Sequence, residues 1–255
     1  MKLVKFLKKI KKYVQCLGIY EGLIFTYHVF TQNTNNIQNK KHNSSIKLRS
    51  NSTDLLIYEQ IFFDKNYSID WEKYISNPKV IIDGGANIGL FSILMADKFK
   101  EATLYALEPD KANFEILSHN TKDYPKIHCL NKGIWNEDTH LKISDKYNMG
   151  NWGLVLEETT LTENTTPVIK ISTLMSDNQI QKIDILKLDI ETSEKQVFSK
   201  NYSEWLPKVK VLVVEVHDWV ENGCGQAVFK AINECIENYS YLICGENTII
   251  INNDL

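Results

Sequence analysis

One eleven-residue stretch constrains this chain more than any other: Val80-Ile81-Ile82-Asp83-Gly84-Gly85-Ala86-Asn87-Ile88-Gly89-Leu90. It reads as a buried apolar strand, an acid at the strand's carboxyl end, a glycine-rich turn and the start of a helix. Glycines let such a turn take positive φ and let a ligand approach the backbone. Asn87 is one of the few other residue types that tolerates left-handed geometry. The following helix points free N–H groups over the turn. This is the layout of a nucleotide-type cofactor site in an open α/β sheet.

The residues around the turn discriminate between cofactors. A dinucleotide fingerprint has G-x-G-x-x-G, and Gly84-Gly85-Ala86-Asn87-Ile88-Gly89 matches it only with Ala86 in place of the middle glycine. An acid directly before the turn would also set one negative group against a pyrophosphate. Asp83 suits a ligand that presents a cation or hydroxyls. S-adenosylmethionine, with its sulfonium and ammonium, is such a ligand. Glu108 closes the apolar run Ala102-Thr103-Leu104-Tyr105-Ala106-Leu107, about 20 residues after the turn, where an acid takes both ribose hydroxyls. A tight strand–helix turn flanked by solvated acids is the plainer reading, and the spaced second acid argues against it.

At 255 residues the chain is one large domain, or a domain with an appendage. The 43% apolar content supports an ordinary core. A net charge of -3 argues against a general nucleic-acid binder. The cysteines, at 16, 129, 224, 235 and 244, are scattered and form no C-x-x-C, which reads as reduced thiols of a cytosolic protein. No apolar run is long enough to span a bilayer. The first residues are not a signal peptide, because their lysines interleave with the apolar residues.

Residues 1–17 read as an amphipathic helix. Leu3, Phe6, Leu7, Ile10, Val14 and Leu17 share one face, and Lys2, Lys5, Lys8, Lys9, Lys11 and Lys12 cover the rest. Such a helix either packs its apolar face within the protein or against another subunit, or makes weak peripheral contact with an anionic membrane. Packing is the expectation. Gly18 stops this helix, a second runs over 19–30, and 31–45 is a polar connector. Residues 46–79 hold a short strand, a helix near 54–62 and a turn at Asn77-Pro78. From Val80 onward strands alternate with helices: strands at 80–83, 103–108, 126–131, 183–189 and 209–216, helices near 88–99, 111–121, 191–199 and 225–237. Residues 136–170 show β-like alternation, expected as an inserted hairpin region. Two closing strands, 240–244 and 248–252, flank Gly245-Glu246-Asn247 and put one antiparallel strand in the sheet. The expected fold is α/β, with a doubly wound, mostly parallel sheet. The expected division is a helical extension and connector over 1–45 and a catalytic domain over 46–255.

The other chemistry lies at later strand ends, where ligands bind in such sheets. Lys187, Asp189 and Glu191 alternate and project to one side. Acids ending an apolar strand need a reason, because an unpaired buried charge is costly. Capping of the next helix is the bland alternative. Glu215 and His217 share one side of the following strand end. A hydroxyl nucleophile needs a base, and His217 is the ready titrator of the pair. A divalent ion held by Asp189, Glu191, Glu215 and His217 is a second, less favoured device. Trp152, between small residues in the inserted region, either packs or stacks on a sugar ring.

The chain resembles class I S-adenosylmethionine-dependent methyltransferases, and more closely the FkbM family. The resemblance rests on residues 82–89, Leu107-Glu108-Pro109-Asp110, Asn131-Lys132-Gly133-Ile134-Trp135, 183–191 with Glu194 after it, and Val214-Glu215-Val216-His217. The stretch Leu48-Arg49 to Ile61-Phe62 resembles leader segments of that family. Where the family has Gly-Ala after its counterpart of Glu191, this chain has Thr192-Ser193. The resemblance implies a Rossmann-like sheet and O-methylation of a hydroxyl, often on a sugar or polyketide. A cytoplasmic enzyme acting on a surface polysaccharide or its precursor is the resulting expectation. In it Asp83, Gly85, Ala86, Asn87, Gly89, Glu108, Pro109 and Asn131 hold the cofactor, with Asn131 at the adenine. Asp189, Glu191 and His217 face the acceptor, and no metal is required. A nicotinamide oxidoreductase and a non-catalytic scaffold of the same fold are the alternatives.

Overall fold

A computed structural model of the chain describes residues 2–31, 37–39, 44–64, 66–146, 154–159 and 165–255. They form two compact units, Met1–Asn66 and Tyr67–Leu255. The segment 46–66 thus groups with the N-terminal helices.

In the first unit, α1 (Lys2–Leu17) and α2 (Ile19–Phe30) form a hairpin about Gly18. They cross closely at Gly22, where a Cβ would lie 2.6 Å from Val14 Cα. Tyr13 and Phe25 join Tyr58 of α3 (Asp54–Tyr58) and Phe63 of the π-turn Glu59–Phe63 in an aromatic cluster, with ring centroids 4.8–5.6 Å apart. Glu59 is buried among them and accepts hydrogen bonds from the Tyr13 hydroxyl at 2.6 Å, Lys9 at 3.1 Å and Lys12 at 3.2 Å. These partners turn α1 about its axis. Tyr13 is fully buried, whereas Leu7, expected on the packing face, is exposed. Arg49 clamps the buried Asp54 through two side-chain bonds of 2.8 and 3.0 Å. Within the expected connector, β1 (Ile37–Asn39) pairs antiparallel with β2 (Ser44–Ile46). Three-residue polar strands carry too little alternation to be read from sequence.

The second unit is built on seven strands: β3 (Val80–Gly84), β4 (Thr103–Leu107), β5 (Ile127–Leu130), β10 (Ile183–Leu188), β11 (Val209–Glu215), β12 (Tyr239–Cys244) and β13 (Asn247–Asn252). Their order is β12-β13-β11-β10-β3-β4-β5. The β3, β4, β5, β10 and β11 pairings are parallel, and β13 runs antiparallel to both its neighbours. This is the expected sheet with its one reversed strand. Ile81, Ile82, Leu104, Ala106, Ile185, Leu186, Val211 and Val213 are fully buried. Strands covered on both faces read as unbroken apolar runs, which is why the sequence marks them so clearly. The strand order reverses between β3 and β10, where Asp83 pairs in register with Lys187 and Gly84 with Leu188. The carboxyl ends on either side of such a reversal form a ligand crevice. Helices α4 (Leu90–Lys98), α5 (Lys111–Asn120) and α8 (Cys224–Cys235) follow β3, β4 and β11.

The expected inserted region contributes β7 (Thr139–Ser144), β8 (Val155–Glu157), which pairs antiparallel with β7, and β9 (Thr165–Ile169) to a separate four-stranded sheet completed by β6 (Gly133–Ile134), in the order β6-β9-β7-β8. Two local features differ from expectation. The short α6 (Ile171–Asp177) was not foreseen, being rich in Ser and Thr, which are weak helix formers. In place of a helix over 191–199 there is α7 (Glu194–Val197), because Glu191 and Thr192 adopt left-handed φ of 51° and 72°. Trp152 lies outside the described residues.

Candidate active site

The turn after β3 is shaped by backbone contacts. Gly85 has φ 72°, and a Cβ there would fall 1.8 Å from the Asp189 carbonyl oxygen, so only glycine fits. The N–H groups of Gly85 and Ala86 both donate to the Leu107 carbonyl, at 3.1 and 2.9 Å. The turn is thereby fastened to the end of β4. The next N–H, of Asn87, donates to Glu108 Oε2 at 2.8 Å, and the Asp110 N–H donates to Glu108 Oε1 at 3.0 Å. Burial pushes the Glu108 carboxyl up to about 7, against the pull of those two N–H groups.

A cleft of about 550 Å³, open solvent included, lies over this turn. Gly85, Asn87, Glu108 and Pro109 line it, as do Asp189, Ile190 and Glu191. Members of both groups read from sequence, one for cofactor and one for acceptor, therefore share one cleft, although His217 is not among its lining residues. Asn87 Oδ1 is buried there without a hydrogen-bond partner.

Asp83, Ala86, Gly89 and Asn131 are not on the cleft wall. Asp83 is fully buried, accepts a 2.6 Å bond from Ser92 and faces Lys187 Nζ at 3.3 Å. Its charge is matched inside the protein rather than turned to the cleft. Lys187 also donates to the Gly85 carbonyl at 2.8 Å and lies 3.5 Å from Asp189 Oδ2. Burial alone would favour neutral Lys187, but Asp83 and Asp189 outweigh it and hold the ammonium charged. Asn131 donates to the carbonyls of Glu108 and Pro109, at 2.8 and 3.1 Å, and so braces the acid loop. Ala86 and Gly89 shape the turn, with the Gly89 N–H bonded to the Ala86 carbonyl at 2.8 Å.

The other functional side chains gather beyond β10 and β11. The buried His217 directs Nε2 at Glu191 (3.5 Å), Glu215 (3.6 Å) and Asp189 (3.9 Å). Its Nδ1 lies 3.2 Å from Glu194 Oε1, which also accepts the Ile190 N–H at 3.0 Å. Opposite a carboxylate, Nδ1 carries the hydrogen and donates. Burial disfavours an imidazolium, but Glu194, Glu191 and Asp189 outweigh it and raise His217 to about 10. In this state the imidazole holds its proton at neutral pH. Burial and then the Asp189 charge raise Glu191 to about 8 and Glu215 to about 7.

Sequence reasoning noted Glu194 but assigned it no part. An acid in the first turn of a helix that follows other acids was the available signal. Trp219 was missed entirely. It is 67% exposed, with its ring 6.4 Å from that of His217. Nothing in its local sequence marked it.

The family model described as Methyltransferase FkbM domain matches residues 83–243. The chain belongs to the FkbM methyltransferase family. It is 29% identical over 200 residues to Methyltransferase sdnD of Sordaria araneosa, across 66% of this chain and 75% of that one. It is 23% identical over 214 residues to 31-O-demethyl-FK506 methyltransferase FkbM of Streptomyces tacrolimicus, across 68% and 77%. Among solved structures, the METTL16 MTase domain aligns over 91% of this chain and 78% of its own, at 12% identity and a TM-score of 0.46. FkbM membership removes the nicotinamide oxidoreductase alternative. Among the described residues, no helix is long and apolar enough to cross a membrane.

Proposed function

We propose that this FkbM-family protein is an S-adenosylmethionine-dependent O-methyltransferase of the cytoplasm, acting on a sugar hydroxyl of a surface polysaccharide or its precursor. The observation that carries the reading is the single cleft lined both by Asn87 and Glu108 and by Asp189 and Glu191. When bound, S-adenosylmethionine supplies a methyl group on a sulfonium centre.

The cleft residues suit that cofactor. Glu108 Oε2 takes one N–H, from Asn87, and keeps a lone pair for a ribose hydroxyl, while Oε1 accepts the Asp110 N–H at 3.0 Å and the Asn113 amide at 3.5 Å. The unpartnered Oδ1 of Asn87 is a further buried acceptor in the same wall. Gly85 keeps the turn free of a side chain. On the acceptor side, an alcohol must lose its proton to become an effective nucleophile, and a nearby carboxylate takes it. Asp189 and Glu191 are on the cleft wall for that task. Holding the hydroxyl in line contributes most of the rate.

Oxygen as the methylated atom is supported by the name of the Streptomyces relative, 31-O-demethyl-FK506 methyltransferase. A sugar acceptor follows the family resemblance, and the exposed ring of Trp219 beside His217 offers a flat face for one. Cytoplasmic placement follows from scattered cysteines with no disulfide pattern.

Calorimetric titration with S-adenosylmethionine and with NAD tests the cofactor. Labelled methyl transfer onto glycan precursors, with the product analysed for a methyl ether, tests the acceptor. Tight NAD binding without an S-adenosylmethionine signal would sink the reading.

A further inference from the structure

We propose that Asp189, Glu215 and His217 form a divalent-cation site at the acceptor side of the cleft. The site itself stands on geometry; what the ion does there rests on the methyltransferase reading above. One donor atom from each of the three residues lies within 4.8 Å of the others.

The imidazole is the decisive group. The His217 side chain is only 2% exposed, and Nε2 points at three carboxylates 3.5–3.9 Å away. A direct bond from a charged N–H to a carboxylate would be about 2.7–2.9 Å long. Donor atoms gathered around one ion at about 2.1–2.3 Å stand roughly 3.0–3.7 Å from one another. Within the ligand set, His217 Nε2 lies 3.6 Å from Glu215 and 3.9 Å from Asp189, within a few tenths of an ångström of that range, and the donor atoms stand no more than 4.8 Å apart. A metal in that gap takes the place of the imidazole proton.

The opposite face of the ring is prepared in the same sense. Glu194 holds Nδ1 at 3.2 Å and is itself fixed by the Ile190 N–H. A carboxylate on the far nitrogen orients a metal-binding histidine and raises its basicity. The nearest cation, Lys187, is already engaged by Asp83 and the Gly85 carbonyl, and lies 3.5 Å from Asp189. One imidazole and two carboxylates with open positions suit Mn²⁺ or Zn²⁺ better than Ca²⁺, which prefers an all-oxygen shell.

The acceptor hydroxyl fills an open position and becomes more acidic on the ion. Its O–H bond then breaks, the electron pair stays on oxygen, and the proton passes to Glu191, which is outside the ligand set and 3.5 Å from His217 Nε2.

The test uses the full chain, stripped with a chelator and titrated with Mn²⁺ alone. Uptake is followed by electron paramagnetic resonance and calorimetry, and each sample is also titrated with S-adenosylhomocysteine. One Mn²⁺ per chain is expected, weakened at least about 100-fold in His217→Ala and in Glu215→Gln, and kept in Glu191→Gln. Circular dichroism checks folding. Should His217→Ala unfold, the isosteric Glu215→Gln decides. A chain that binds S-adenosylhomocysteine but no Mn²⁺ overturns the metal site and leaves the methyltransferase reading standing. Mn²⁺ uptake without S-adenosylhomocysteine binding supports the site and removes that reading instead. Uptake unchanged in both ligand variants puts the ion elsewhere and overturns the proposal.

Discussion

Asn87 donates its backbone N–H to Glu108 Oε2 at 2.8 Å. That bond joins the turn after β3 to the acid after β4, two features 21 residues apart in sequence. The pair has a measurable consequence because burial raises the Glu108 carboxyl to about 7. A raised carboxyl pKa means the group is largely neutral below about 7 and ionised above it. Ribose hydroxyls need the ionised acceptor. Affinity for S-adenosylhomocysteine should therefore rise with pH between about 6 and 8, with proton release on binding. Glu108→Gln should flatten that slope and weaken binding roughly 10-fold or more, since hydrogen bonds to charged groups contribute about 1.5–3 kcal/mol. Calorimetry in buffers of different ionisation enthalpy reads both effects, and an affinity that falls as pH rises would refute the assignment.

Gly85→Ala should destabilise the second unit by roughly 2–4 kcal/mol, from the left-handed φ together with the clash against the Asp189 carbonyl. Denaturant unfolding measures it. A variant of unchanged stability would mean that the turn does not hold this shape.

Thr192→Gly should stabilise the protein. Thr192 sits at φ 72°, a region that costs a β-branched residue about 1–2 kcal/mol. The greater freedom of glycine in the unfolded chain offsets part of this, leaving a gain of about 1 kcal/mol or less. The expected readout is a higher thermal midpoint. A lower one would show that the side chain contributes more than the strain costs.

Asp189→Asn and His217→Ala should lower turnover by roughly 100-fold or more while S-adenosylhomocysteine affinity changes far less. Steady-state rates on the true acceptor, set beside calorimetric affinities, separate the two. Equal losses in both quantities would place these residues on the cofactor instead.

Glu59→Ala should destabilise the first unit by about 2–3 kcal/mol. It leaves the buried Tyr13 hydroxyl without its 2.6 Å acceptor and takes from Lys9 its carboxylate partner, while Lys12 keeps Asp64 at 2.8 Å. Deleting residues 1–17 should act in the same direction. With α1 packed in this way, anionic vesicles should not capture the full chain. Salt-sensitive capture that disappears on the deletion would contradict packing as the role of α1.

The sequence by itself determined the α/β class, the strands of the central sheet, its one reversed strand and the turn-plus-acid pair. Each of those signals is local: apolar runs for doubly covered strands, glycines where positive φ is needed, an acid at a fixed offset from a turn. The left-handed φ of Thr192 was a different matter. The departure from the family's Gly-Ala was visible in the sequence, but the conformation that makes it costly was not.

Tertiary structure alone decided which charge meets which. Asp83 looked available to a ligand because an acid at a strand end is ordinarily unmatched. β10 lies beside β3, however, and brings Lys187 into register with it. His217 was legible as a titratable group beside Glu215, but not that Glu194, from the start of α7, and the carboxylates after β10 would close around it. The same holds for α1: helical spacing gave the apolar face, but Glu59, 46 residues after Tyr13, set which part of it turns inward. Periodicity specifies which side of an element is apolar. It carries no information about which distant element arrives beside a charge, and in a low-dielectric interior that neighbour decides the charge's protonation and its role.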